Sequence, residues 1–128
     1  MSPSVFSDWL IKTVPSSAPS GVVAYNFNIS ETGAEYVIEL IGASTYDPQD
    51  PDWACPPEAW TSRPSKVSIP YGVFDAQWER ALSGVVTSVK TFLATSDSPA
   101  ANVLRQSQAV CASFVDGDIV QVWPDAKA

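Results

Sequence analysis

Apolar residues recur along this chain in two rhythms, and the points where one gives way to the other predict its elements. Near the start, Val5, Phe6, Trp9 and Leu10 share one helical face. Ser2-Pro3 stands ahead of them, suited to an N-cap followed by proline at the first helical position. A Pro/Ser stretch over residues 15–20 should end that helix. From 22 to 30 the period becomes two: Val23, Tyr25, Phe27 and Ile29 point one way, Ala24, Asn26 and Asn28 the other. Glu31-Thr32-Gly33-Ala34 suits a hairpin loop, and 35–43 reads as the returning strand. On that strand Tyr36, Ile38 and Leu40 take the core side. Glu35, Val37, Glu39 and Ile41 share the other face, which is half apolar and so expected to be partly covered.

Residues 44–65 break the rhythm, with prolines at 48, 51, 56, 57 and 64. A loop of this length is commonly functional or mobile. Trp53, Cys55 and Trp60 argue for docking, because apolar groups leave water when they can. A short strand is expected over 66–70 through Val67 and Ile69. Asp75 is a candidate N-cap for the principal helix, in which Trp78, Leu82, Val85, Val89, Phe92 and Leu93 repeat at three- and four-residue spacing to about Thr95. Ser98-Pro99 restarts a helix toward Ser107. Alternation returns over 109–115, Asp116-Gly117 marks a two-residue turn, and 118–123 forms a last strand closed by Pro124. This order predicts one α+β domain over 1–128: an antiparallel sheet of two hairpins plus a short strand, with helices packed on one face.

Composition bounds what such a domain can do. A chain of 128 residues, 45% hydrophobic and with five tryptophans, has enough apolar surface for a real core. No stretch approaches the ~20 apolar residues of a membrane span. Residues 1–14 lack the basic start and apolar run of a signal peptide. A cytoplasmic location is therefore expected, with Cys55 and Cys111 as reduced thiols. The net charge is −7, and no Lys or Arg stands between Lys12 and Arg63. That interval holds Glu31, Glu35, Glu39, Asp47, Asp50, Asp52 and Glu58. Such a field repels phosphate backbones and draws in a basic partner. The few scattered basic residues argue against nucleic acid.

Catalytic chemistry finds little support. There is no histidine, which removes the Ser-His and Cys-His pairs and the commonest metal ligand. Cys55, within Trp53-Ala54-Cys55-Pro56, has no general base in view and reads as a docked structural thiol. Glu35 and Glu39 share a strand face but stand about 13 Å apart, beyond the roughly 5–9.5 Å of a glycosidase pair. Asp47, Asp50 and Asp52 lack the central glycine and distal glutamate of a calcium loop, and Pro48 and Pro51 interrupt them. The six glycines are scattered rather than arranged as a phosphate or dinucleotide loop. Asp116-Gly117-Asp118 is simplest as the hairpin. No catalytic residue, metal ligand or cofactor site is nominated, and the chain is not expected to be an enzyme. Carboxylates beside aromatic rings instead suit an Arg- or Lys-rich protein partner, with Asp47, Asp50, Asp52, Trp53, Glu58 and Trp60 as contact candidates.

Two segments carry a resemblance. One is Ile38-Glu39-Leu40-Ile41-Gly42-Ala43-Ser44-Thr45-Tyr46-Asp47, running on to Asp52-Trp53-Ala54-Cys55. The other is Ala112-Ser113-Phe114-Val115-Asp116-Gly117-Asp118-Ile119, ending in Val122-Trp123. Together they cover about a quarter of the chain and resemble small bacterial immunity-type proteins encoded beside polymorphic toxins. The resemblance implies a cytosolic protein that neutralises a cognate toxin by occluding its basic active site. It carries over no contact residues, and it leaves open whether Trp53 is contact surface or fold support. Two other readings stay open. One is a small-molecule-binding domain or enzyme with a site under the 44–65 loop, built from Tyr46, Asp52, Cys55 and Tyr71. The other is a structural subunit of a homo-oligomer.

Overall fold

Tyr25, Phe27 and Ile29 on one strand and Tyr36, Ile38 and Leu40 on the next are almost wholly shielded from water, and the sheet extends outward from that pair. The computed structural model describes residues 3–33, 35–54, 58–62, 65–70, 78–114 and 119–124. In chain order these form α1 (Pro3–Thr13), β1 (Ala24–Glu31), β2 (Glu35–Ala43), a 3-10 turn (Pro51–Ala54), β3 (Trp60–Thr61), β4 (Val67–Pro70), α2 (Trp78–Thr95), α3 (Pro99–Arg105), β5 (Ala109–Phe114) and β6 (Val120–Trp123). The sheet runs β3-β2-β1-β5-β6, with β4 also paired to β2. β1 and β2 are antiparallel from Ala24↔Ala43 to Glu31↔Tyr36, and Gly33 turns between them at φ +94°. β3 pairs with Ile41 and Gly42, and β4 with residues from Glu35 to Ile38, so the two short strands share one side of β2 end to end.

The α+β class is as the sequence predicts, but the sheet is mixed rather than wholly antiparallel. β1 and β5 pair in parallel, from Ala24↔Ala109 to Ile29↔Phe114. The reason lies in the route between them. After β4 the chain passes through α2 and α3, and such a long helical connection can bring a strand back in the direction it left. β6 then pairs antiparallel with β5, with an irregular register between Val110 and Cys111. Ser2, Asp75 and the turn expected at Asp116-Gly117 lie outside the described residues.

The helices gather on one face. Phe6, Trp9 and Leu10 of α1, Val85, Val89, Phe92 and Leu93 of α2, and Val103 and Leu104 of α3 pack with the strand residues named above and with Val110, Ala112 and Phe114. Local signals set the ends of α3: Ser98 Oγ accepts from Ala101 N at 3.2 Å, and Pro99 fills the first turn. Longer bonds lock the layer together. Arg105 donates to the carbonyls of Leu93 (2.7 Å) and Ser96 (3.0 Å), satisfying groups at the end of α2. Trp9 Nε1 donates to Ser65 Oγ at 3.0 Å, tying α1 to the approach to β4.

The opposite sheet face carries a second, smaller cluster of Ala24, Ala43, Trp53, Ala109 and Cys111, with Tyr46, Ala54 and Ile119 against it. Three alanines keep this end of the sheet low, which leaves room for the Trp53 indole. Val37 and Ile41 on the same face are 7% and 0% exposed, matching the cover expected from the half-apolar pattern of β2.

Candidate functional site

The site grows from the chain that leaves β2. Asp47 Oδ1 accepts from Gln49 N at 2.9 Å, and Asp50 Oδ1 accepts from Asp52 N at 3.0 Å. Backbone bonds from Asp50 N to Asp47 O (3.1 Å) and from Trp53 N to Asp50 O (3.3 Å) complete the folding. Aspartates that bond their own backbone two residues on favour this kind of turn. Residues 46–54 therefore form a tight rib rather than an open loop. Trp53 reaches down from it onto the small-residue cluster, and Tyr46 meets Trp53 edge to face, with ring centroids 5.1 Å apart at 77°.

Between rib and sheet lies an open cleft of about 320 Å³. The rib contributes Tyr46, Asp47 and Trp53; the sheet side contributes Cys111, Ile119 and Gln121. Tyr46 Oη donates to Gln121 Oε1 across a long 3.4 Å, and Gln121 Nε2 donates to Pro124 O at 2.8 Å. Burial pushes the free Cys111 thiol up to about 12, against a smaller opposing effect of a backbone hydrogen bond at Val122. The thiol is therefore uncharged at neutral pH. The Tyr46 hydroxyl is raised as well, first by burial and then by the nearness of Cys111 and Asp47. Asp47 is accordingly the one formal charge among the described residues of the lining.

The structure separates the residues expected to act together. Asp47, Asp50 and Asp52 all stand exposed on the rib, and Glu58 is half-buried beyond it. Trp53 is only 8% exposed: its ring pins the rib to the sheet, and what remains accessible of it faces the cleft. Trp60 lies on the other side of the sheet, half-buried, with its ring against Tyr25 at 6.3 Å and 78°. Of the residues considered for a site under the loop, Tyr46 lines the cleft and Asp52 does not. Cys55 and Tyr71 lie outside the described residues. Cys111, Ile119 and Gln121 are not legible as site residues in the sequence, because nothing in the chain says what stands above that face of β5 and β6.

A second cleft of about 300 Å³ lies beyond the end of β1, with Val22, Tyr25, Val103, Gln106 and Gln108 in its lining. Burial raises the Tyr25 hydroxyl to about 12, and that oxygen has no hydrogen-bond partner among the described residues. Among the described residues no group of three His, Cys, Asp or Glu is placed to hold a metal ion, and no helix is long and apolar enough to cross a membrane. Comparison with protein-family models, curated proteins and solved structures finds no match to this chain.

Proposed function

We propose that this chain is a cytosolic protein-binding domain that neutralises a basic toxin by direct occlusion, in the manner of immunity proteins. The observation that carries the reading is the rib. Asp47, Asp50 and Asp52 project into solvent from a segment whose turns are fixed by two of those same carboxylates and whose base is held by the buried Trp53. A contact surface ordered before binding avoids much of the entropy lost when loops are immobilised on association. The absence of Lys and Arg from residue 13 to residue 62 leaves the local field negative, which steers a basic partner and penalises an acidic one. The immunity-type resemblance supplies the biological setting.

The reading predicts a toxin domain encoded immediately upstream, and the experiment pairs the chain with that domain. Co-expression should protect cells, and the purified partners should associate at a rate that falls with salt. Reversing Asp50 and Asp52 to Lys should slow association at least tenfold at low salt and flatten the salt dependence. Absence of protection would overturn the toxin reading. An unchanged association rate in the reversed variant would remove the rib from the interface.

A further inference from the structure

The rib also roofs a cleft whose chemistry specifies an occupant. We infer that the cleft framed by Tyr46, Asp47, Trp53, Cys111 and Gln121 receives a single guanidinium group, presented by an arginine of the basic partner. That assignment rests on the protein-binding reading for the source of the arginine; its kind follows from the cleft alone.

Charge comes first. Asp47 is the only charged residue of the described lining, and no Lys or Arg joins it. An anionic ligand is therefore disfavoured. Hydrogen-bond polarity narrows the choice further. One oxygen of Asp47 accepts from Gln49 N, and the other has no partner among the described residues. Gln121 is oriented by its donation to Pro124 O, which turns its Oε1 toward Tyr46. The cleft thus offers a carboxylate oxygen, an amide oxygen and a phenolic oxygen as acceptors, against one phenolic O–H and a weak thiol donor. A guanidinium is all donors, five N–H groups in a planar fork.

Shape and surface agree. The Tyr46–Trp53 pair supplies aromatic surface on which a flat, weakly hydrated cation can lie. A lysine ammonium lacks both the plane and the fork. A volume of about 320 Å³ holds one long side chain and is far too small for a secondary-structure element. A neutral apolar ligand would desolvate Asp47 while offering no donor to its second oxygen. Arginine inserted in an aromatic-walled pocket is a common energetic centre of protein interfaces.

The test uses the intact chain, labelled with nitrogen-15, and three small probes: N-acetyl-arginine amide, its uncharged near-isostere N-acetyl-citrulline amide, and N-acetyl-lysine amide. The arginine probe should shift the Trp53 indole and Gln121 side-chain resonances with an affinity at least several-fold above either other probe. Asp47→Asn keeps an acceptor for Gln49 N while removing the charge, and should weaken arginine binding by roughly threefold to tenfold. Tyr46→Phe should weaken it by a smaller factor. Equal response to arginine and citrulline, equal response to arginine and lysine, or arginine shifts unaffected by Asp47→Asn would each overturn the assignment. Asp50 and Asp52 stand off the cleft, so the two proposals fail separately. A partner complex indifferent to Asp47→Asn sinks the arginine pocket alone. Arginine-specific shifts without toxin protection sink the toxin reading alone.

Discussion

Asn26 Nδ2 donates to Ser113 Oγ at 3.1 Å across the parallel pair β1–β5, with both residues buried on the sheet face away from the helices. A second bond runs from the same amide nitrogen to Asn28 Oδ1, while Asn26 Oδ1 has no partner among the described residues. A polar side chain 1% exposed and only half satisfied is sensitive to the loss of what it has. Ser113→Ala should destabilise the chain by about 1–3 kcal/mol in urea unfolding, because it strands a buried N–H. The double change Asn26→Leu with Ser113→Ala should cost less than the sum of the single changes, since it removes both ends of the bond. Strict additivity would show that the contact contributes nothing.

Gly42 pairs with Tyr25 on one side and Trp60 on the other. A Cβ there would stand 2.8 Å from Val22 Cγ1 and 3.0 Å from its Cγ2. Valine cannot easily turn away, because branching restricts its χ1. Gly42→Ala should therefore cost about 1–3 kcal/mol through overpacking. Adding Val22→Ala should recover part of that loss, which paired denaturation curves would reveal.

Alkaline stability should be lost for a reason the structure names. Burial holds Cys111 near 12 from an ordinary 9.0, and Tyr25 near 12 from 10.0. Both are neutral in the folded chain over a range where the unfolded chain has released their protons. The unfolded state then binds fewer protons, so stability falls as pH rises. The contribution is complete below about pH 9 for Cys111 and pH 10 for Tyr25, and is lost on the way to pH 12. Denaturation midpoints measured across that window should fall less steeply in Cys111→Ala and in Tyr25→Phe than in the parent chain.

Arg105 ties the end of α2 to α3 through one guanidinium, binding Leu93 O, Ser96 O and Asn102 Oδ1, while its own carbonyl accepts from Trp123 Nε1 at 3.0 Å. Arg105→Ala should cost about 1.5–3 kcal/mol, the range for hydrogen bonds to charged groups. Lysine should restore less than half, because a single ammonium does not reproduce the fork. Thermal unfolding of the three forms would rank them.

Much of the framework could be read from periodicity. The stripe Val85, Val89, Phe92, Leu93 and the alternation Tyr36, Ile38, Leu40 placed α2 and β2 and oriented both, because burial repeats with the geometry of the backbone. Ser98-Pro99 placed α3 because capping is a contact between residues three apart. The candidate site was legible only in part. The exposed Asp47, Asp50 and Asp52 were visible as charge, but Trp53 was equally consistent with display and with burial.

What the sequence determined by itself was local: which stretches become helix or strand, which side chains turn inward, and where negative charge accumulates. Tertiary structure alone decided that β5 runs parallel to β1, that β3 and β4 share one side of β2, and that Trp53 and Trp60 fall on opposite faces of the sheet. It alone brought Tyr46 to Gln121, 75 residues away, and so made the cleft. Periodicity reports which way a side chain faces its own backbone, whereas strand order and the partner across a face are set by how the helices and the rib bury the two sides of one sheet together.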